Sequence, residues 1–153
     1  MAETNGTVGI QTLQRSYSDD YAGWAEDTAQ AIEDGRFEDI DRSALADEVR
    51  DLSKSERRGL KSALEVLLMH MLKTRYRPEK QTPSWQASID VQRDDIQDYL
   101  SDSPSLRPDL PRLLEKAYQR ARIEAARETG LELNTFPESC PWTVAEVLAE
   151  TKV

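Results

Sequence analysis

Residues 60–72 read LKSALEVLLMHML, and nine of these 13 residues are apolar. Leu60, Leu64, Leu67, Leu68 and Met71 recur at three- and four-residue spacing and make one helical face. Ala63, Val66 and Met69 extend it around the cylinder, so that only Lys61, Ser62 and Glu65 mark a clear polar sector. A helix apolar on most sides has to be surrounded by other elements. The stretch therefore predicts a central helix, ended by Pro78 and Pro83, with the rest of the chain packed around it.

Upstream, residues 53–59 (SKSERRG) run for about two turns without an apolar side chain. Ser53-Lys54-Ser55-Glu56 fits a capping box, in which hydroxyl and carboxylate satisfy each other's free backbone N–H groups at a helix start. A break or bend is expected here, which gives a central helix over about 54–76; the alternative is one solvated helix from about 41 to 76. The preceding helix starts at Asp41 or Ser43, with Leu45, Val49 and Leu52 as its buried stripe. Before it, Ser18-Asp19-Asp20 caps a first helix whose inner face reads Tyr21, Trp24, Ala25, Thr28 and Ile32, and Gly35 ends that helix.

Downstream, Ser84 is expected to cap a helix with Trp85, Ile89, Gln92, Ile96, Tyr99 and Leu100 on one face. Ser103-Pro104 opens a short turn. Asp109-Leu110-Pro111 starts a helix that ends at Gly130, with Ala117, Ala121 and Ala125 as a close-packing seam. After a loop over 131–141, Thr143-Val144-Ala145-Glu146 is a second capping box, opening a short last helix with Val144, Val147 and Leu148. No stretch alternates as a strand does. The expectation is an all-α, compact bundle of five or six helices, with residues 1–16 as a flexible lead-in and 17–150 as a single helical domain.

Composition bounds the function classes. The chain has 153 residues, with 20 Lys+Arg against 29 Asp+Glu, a net charge of −9. That balance argues against a protein built wholly around a polyanion. One cysteine excludes an intrachain disulfide, and one histidine excludes any site needing two imidazoles from one chain. No segment approaches 18 consecutive apolar residues, and Met1–Ser16 lacks the cationic start and apolar stretch of a secretory signal. The cytoplasm is the expected compartment, with no membrane association. No Gly-rich phosphate loop or nucleophile elbow occurs among the six glycines, and no cofactor is expected.

Several landmarks together resemble one bacterial family, that of domain of unknown function 29. They are Tyr21-Ala22-Gly23-Trp24-Ala25, Gly35-Arg36-Phe37, Leu45-Ala46-Asp47-Glu48-Val49 and Ser55-Glu56-Arg57-Arg58. Leu67-Leu68-Met69-His70-Met71-Leu72-Lys73, Ser84-Trp85, Ser103-Pro104-Ser105-Leu106 and Glu128-Thr129-Gly130-Leu131 continue the series. Phe136-Pro137-Glu138-Ser139-Cys140-Pro141-Trp142 closes it. The resemblance covers about Tyr17 to Ala149. It implies a compact α-helical protein of cyanobacterial or proteobacterial type, with no established activity and no catalytic or binding residues to carry over.

Four groups of residues have chemical potential. His70 on the central helix, paired with Glu48, is a candidate general base; with Glu48 and Asp51 it is a candidate metal set. The bland alternative is a core histidine bonded to a carbonyl. Residues 54–80 carry eight basic and three acidic side chains, a local +5 that leaves −14 elsewhere. Arg57, Arg58, Lys73, Arg77 and Trp85 are therefore the expected partner-binding surface. Asp47, Glu48 and Asp51 form an acidic turn, more simply a solvated face salt-bridged to residues such as Arg57 and Arg58. Cys140 precedes a helix start but is better read as packing with Phe136 and Trp142. The leading expectation is a non-enzymatic regulatory or adaptor module that works through protein–protein contacts or self-association. Nucleic-acid binding along 54–80 is the alternative, and a metal-assisted hydrolase around His70 the third.

Overall fold

A computed structural model describes residues 15–148, and every regular element among them is helical. In chain order these are α1 (Tyr21–Glu33), α2 (Arg42–Tyr76), α3 (Pro83–Asp102), α4 (Leu110–Thr129) and α5 (Val144–Leu148). Short 3-10 turns lie between them at Phe37–Asp39, Pro78–Lys80, Pro104–Asp109 and Leu133–Thr135. The all-α architecture is as expected. Most of the lead-in, residues 1–14, lies outside the described residues. The contacts of the chain divide it into two units, one up to Asp51 and one from Leu52 onward.

In the first unit Asp20 caps α1, its carboxylate accepting from the N–H of Gly23 at 2.9 Å. A Cβ at Gly23 would crowd the capping carboxylate of Asp20 as well as the Arg15 side chain. Gly35, at φ +71°, ends the helix, with its own N–H on the Ile32 carbonyl and that of Arg36 on the Ala31 carbonyl. This pair of bonds is the Schellman arrangement that a left-handed glycine permits. The buried line of α1 is Gly23, Trp24, Thr28 and Ala31. The expected face was rotated: Ala25 is exposed, and Tyr21 and Ile32 are outside it at 54% and 44% exposure.

The break expected at 53–59 does not occur, because α2 runs unbroken for 35 residues. Asp41 starts it, accepting from the N–H of Ala44 at 3.0 Å. The Ser53 hydroxyl does not cap a new helix; it accepts from Arg57 Nη1, one turn on, at 2.7 Å. Lys, Glu and Arg favour a helix interior, so a solvated segment of this composition continues the helix without apolar contacts. Gly59 does not stop the helix. It clears space for Tyr99 of α3: a Cβ there would sit 2.7 Å from the ring's Cζ and closer still to the hydroxyl.

The second unit encloses the apolar end of α2. Leu60, Leu64, Leu67, Leu68 and Leu72 are all at or below 1% exposure. Each such leucine contributes roughly 1.5–3 kcal/mol relative to full exposure. They are covered by Ile89, Ile96 and Leu100 of α3, by Leu113, Leu114, Ala117, Tyr118, Ala121 and Ala125 of α4, and by Phe136 and Val147. The predicted alanine seam of α4 is fully inside. At its start, α3 differs from expectation: Thr82 precedes Pro83 as the cap residue, and Ser84 is already in the helix.

The C-terminal segment is pinned by hydrogen bonds as well as by packing. Tyr118 Oη donates to the Pro137 carbonyl at 2.6 Å, Gln119 Nε2 to the Glu138 carbonyl at 2.7 Å and Arg122 Nε to the Phe136 carbonyl at 3.2 Å. Arg93, buried in α3, donates from Nε to the Val147 carbonyl at 3.0 Å, satisfying an end of α5. The Thr143–Glu146 capping box forms as read, with Thr143 N–H on Glu146 Oε2 at 2.7 Å and Glu146 N–H on Thr143 Oγ1 at 3.3 Å.

Replacing Gly59 by alanine sets a helix-propensity gain of about 1 kcal/mol against a forced shift of Tyr99. We expect the shift to win. Gly59→Ala should lower the denaturant midpoint, with a cost of about 1–3 kcal/mol, and Gly59→Ala with Tyr99→Leu should recover part of it.

Candidate functional site

The most organised polar constellation of the first unit joins α1 to the start of α2. Glu48 Oε1 accepts from the Tyr17 hydroxyl and Oε2 from the Tyr21 hydroxyl, both at 2.5 Å. Tyr17 is T-shaped to Tyr21 and to Trp24, with ring centroids 5.5 Å and 4.9 Å away. The bond to Glu48 favours the neutral phenols, and it pushes Tyr17 up to about 12; Tyr21 is raised for the same reason. Trp24 Nε1 and Thr28 Oγ1, one turn apart on α1, are buried without hydrogen-bond partners. No sequence signal foretold the two tyrosines meeting Glu48, because the bonds span 31 and 27 residues.

Beside this clamp, α2 carries the stripe expected to be buried. It is open: Val49 is 57% exposed and Leu52 68%, with Leu45 half-buried one turn before Val49. Glu48, which the tyrosines hold, is three residues from Leu45 and four from Leu52 and so lies on the same side of the helix.

The proposed convergence of His70 with Glu48 and Asp51 from separate helices is corrected by the continuity of α2. All three residues lie on that one helix, and His70 is 22 residues, about six turns, beyond Glu48. His70 Nδ1–H donates to the Val66 carbonyl, one turn back, at 2.9 Å. Glu48 is engaged by the tyrosines, and Asp47 pairs with Arg50 at 3.2 Å. Among the described residues no group of three or more His, Cys, Asp or Glu is placed to hold a metal ion. Cys140 is half-buried, with Sγ donating to the Trp142 carbonyl at 3.4 Å. Burial pushes its thiol up, away from the reactive thiolate.

The cations of the expected basic surface have partners within the chain, although only Lys73 among them is buried. Arg57 does not pair with the acidic turn of α2: its Nε donates to Asp109 at 2.9 Å, which holds that carboxyl below its usual range. Arg58 reaches the Lys54 carbonyl at 3.4 Å, Lys61 pairs with Glu65 at 3.1 Å and Arg77 with Glu79 at 3.3 Å. Arg77 Nε is buried with no hydrogen-bond partner. The structure does bring Lys73 to Trp85, the ammonium lying 4.4 Å from the ring centre. Lys73, however, is inside rather than on display: its side chain is 9% exposed and bound to Glu128 at 2.5 Å. Arg75 lies over the rings of Tyr76 and Trp142.

A family model described as "Domain of unknown function DUF29" matches residues 16–152, nearly the whole chain, and the protein belongs to that family. Among curated proteins no match is found. No solved structure matches either.

Two outcomes check these geometries. Tyr17 has its folded-state value raised above 10, so the clamp's contribution is full below about pH 10 and is lost as pH rises through about 12. Glu48→Gln should bring one or two phenols down toward 10 in a spectrophotometric titration, while the buried Tyr118, also at about 12 through burial, stays put. In the second unit, Glu128→Gln strands a buried ammonium and should cost about 1–3 kcal/mol in denaturant unfolding. Lys73→Met, which leaves only a half-exposed carboxylate, should cost less.

Proposed function

We propose that the chain is a non-enzymatic interaction module, of regulatory or adaptor kind, that docks another protein on the open α2 stripe Leu45–Val49–Leu52. The observation that carries the proposal is the exposure of Val49 and Leu52 at helical spacing on a well-formed helix. Six of the ten large apolar side chains exposed among the described residues fall in 17–52: Tyr17, Tyr21, Ile32, Phe37, Val49 and Leu52. Single exposed apolar residues are ordinary; Val49 and Leu52 differ in following each other at helical spacing along one helix. The groups with most chemical potential, His70, Cys140, Glu48 and Lys73, are each held by partners within the chain, which leaves contact rather than chemistry as the better-supported use.

No helix among the described residues is long and apolar enough to cross a membrane. A bacterial, cytoplasmic setting belongs to the same proposal, and the single unbridged cysteine suits a reducing compartment.

The test is affinity capture from native cells at low salt with nuclease, comparing the natural chain with Val49→Gln/Leu52→Gln. Both positions are exposed, so the pair should change folding stability by no more than about 0.5 kcal/mol each. A nuclease-resistant protein partner should be depleted about tenfold by the pair and retained by Arg58→Ala/Arg75→Ala. Retention of every partner by the glutamine pair overturns the stripe as the docking surface.

A further inference from the structure

Glu48 is held by neutral groups. Tyr17 and Tyr21 each donate one O–H to it, one to each oxygen, so they orient the carboxylate and leave its charge in place. Among the described residues no cation pairs with it. Its neighbours at three and four residues along α2 are Ala44, Leu45, Asp51 and Leu52, which put no base on its side of the helix. The bases nearby are engaged or point elsewhere. Arg15 is on Asp27 at 2.8 Å and Arg50 on Asp47 at 3.2 Å. Arg42 and Lys54, each six residues from Glu48, stand about 120° round the helix from it.

Two aromatic rings beside that carboxylate are open. Tyr21 is 54% exposed and Tyr17 41%, while Trp24 is buried against both. An open ring face attracts a cation. The carboxylate can also accept more than it does, since an ionised carboxylate offers about four positions and the phenols use two. The three rings lie against one another, with centroids 4.9 to 6.0 Å apart, so they make a wall rather than a hollow.

We infer that Tyr17, Tyr21 and Glu48 form a recognition site for a guanidinium group, supplied by an arginine of another protein. The site itself is read from the clamp; only the source of the guanidinium rests on the docking proposal above. It adjoins the stripe, since Leu45 and Leu52 share Glu48's side of α2. A guanidinium is planar, so it can lie over an open phenol ring and turn its N–H edge to the carboxylate. An ammonium makes the same charge pair but is a strongly hydrated point, which gains less from the ring. A methylated ammonium calls for rings on several sides of it, and a wall of packed rings offers one. A divalent cation lacks ligands, because among the described residues no three His, Cys, Asp or Glu converge.

The experiment is an NMR titration of the full chain with three blocked tripeptides, glycine–arginine–glycine and its lysine and citrulline counterparts. Citrulline keeps the planar shape of arginine without the charge. The chain has five tyrosines, so Tyr76, Tyr99 and Tyr118 serve as internal references. The arginine peptide should shift the ring signals of Tyr17 and Tyr21 saturably and leave the other three in place. The lysine peptide should bind about threefold more weakly and the citrulline peptide about tenfold or more. Glu48→Gln should remove the shift. Tyr21→Leu, which keeps the Tyr17 bond to Glu48, should bring the arginine peptide down to the level of the lysine one.

No saturable shift at Tyr17 or Tyr21 overturns the inference, and so does a shift that Glu48→Gln leaves unchanged. Equal binding of the citrulline peptide overturns a site that reads charge, and equal binding of the lysine peptide overturns the guanidinium. A dimer in sedimentation that Glu48→Gln dissolves gives the site to a second copy and overturns an arginine from another protein. Failure of the docking proposal is read separately: a captured partner then survives Val49→Gln/Leu52→Gln, whereas the peptide shifts are measured with no partner present.

Discussion

A helix apolar around most of its circumference has no stable place in water, and the second half of α2 is such a helix. The rest of the second unit follows from that constraint. Two long helices and a C-terminal segment supply the covering side chains, from Ile96 and Leu100 through the alanine seam of α4 to Phe136 and Val147. Their own backbone ends are then tied down by Tyr118, Arg122 and Arg93, because a loop pressed onto a core cannot leave its carbonyls unpaired. Lys73 is the exception within the apolar end, and it is tolerated because Glu128 and the Trp85 ring receive its charge. The upstream half of the same helix is held differently, by helix-favouring composition, the Asp41 cap and local pairs such as Asp47–Arg50.

What the sequence made legible was local or strongly periodic. The apolar run at 60–72, the Gly35 and Gly130 terminators and the Thr143–Glu146 capping box all act within a turn or two of chain, and all are found. The capping-box pattern at Ser53–Glu56 shows the limit of that logic. It has the right residues, yet the Ser53 hydroxyl goes to Arg57 and the helix does not stop. A capping box competes with continuing the helix, and nothing in residues 53–59 forces a stop. Gly59 closes that segment, and its reason lies in Tyr99, 40 residues away. The Tyr17–Glu48–Tyr21 clamp, Arg57–Asp109 and Lys73–Glu128 were not legible for the same reason. Ion pairs and hydrogen bonds across 27 to 55 residues leave no spacing rule in a single sequence.

The residues singled out for chemistry show a second limit. Reactive residue types are informative only when they meet, and α2, being continuous, strings His70, Asp51 and Glu48 along one axis. His70, Glu48 and Cys140 each then have a more ordinary role. The imidazole bonds a carbonyl of its own helix, the carboxylate locks two phenols, and the thiol is buried against the Trp142 carbonyl. The basic segment 54–80 is partly offset in the same way: its excess of five is evident in sequence, and Asp109 and Glu128, from outside the segment, take up two of those charges. A local surplus of cations therefore says less about a polyanion partner than the acids that reach it from elsewhere in the fold.

The open stripe inverts the usual inference from amphipathicity. Leu45, Val49 and Leu52 have the spacing that normally predicts an internal face, and the sequence alone offers no way to tell a face covered by its own fold from one kept for another molecule. The distinction comes from exposure in the folded chain. Leu60, Leu64 and Leu67 of the same helix follow the same three- and four-residue spacing and are buried, whereas Val49 is 57% exposed and Leu52 68%. Spacing says that a face is apolar; only the surrounding elements decide whether it is covered.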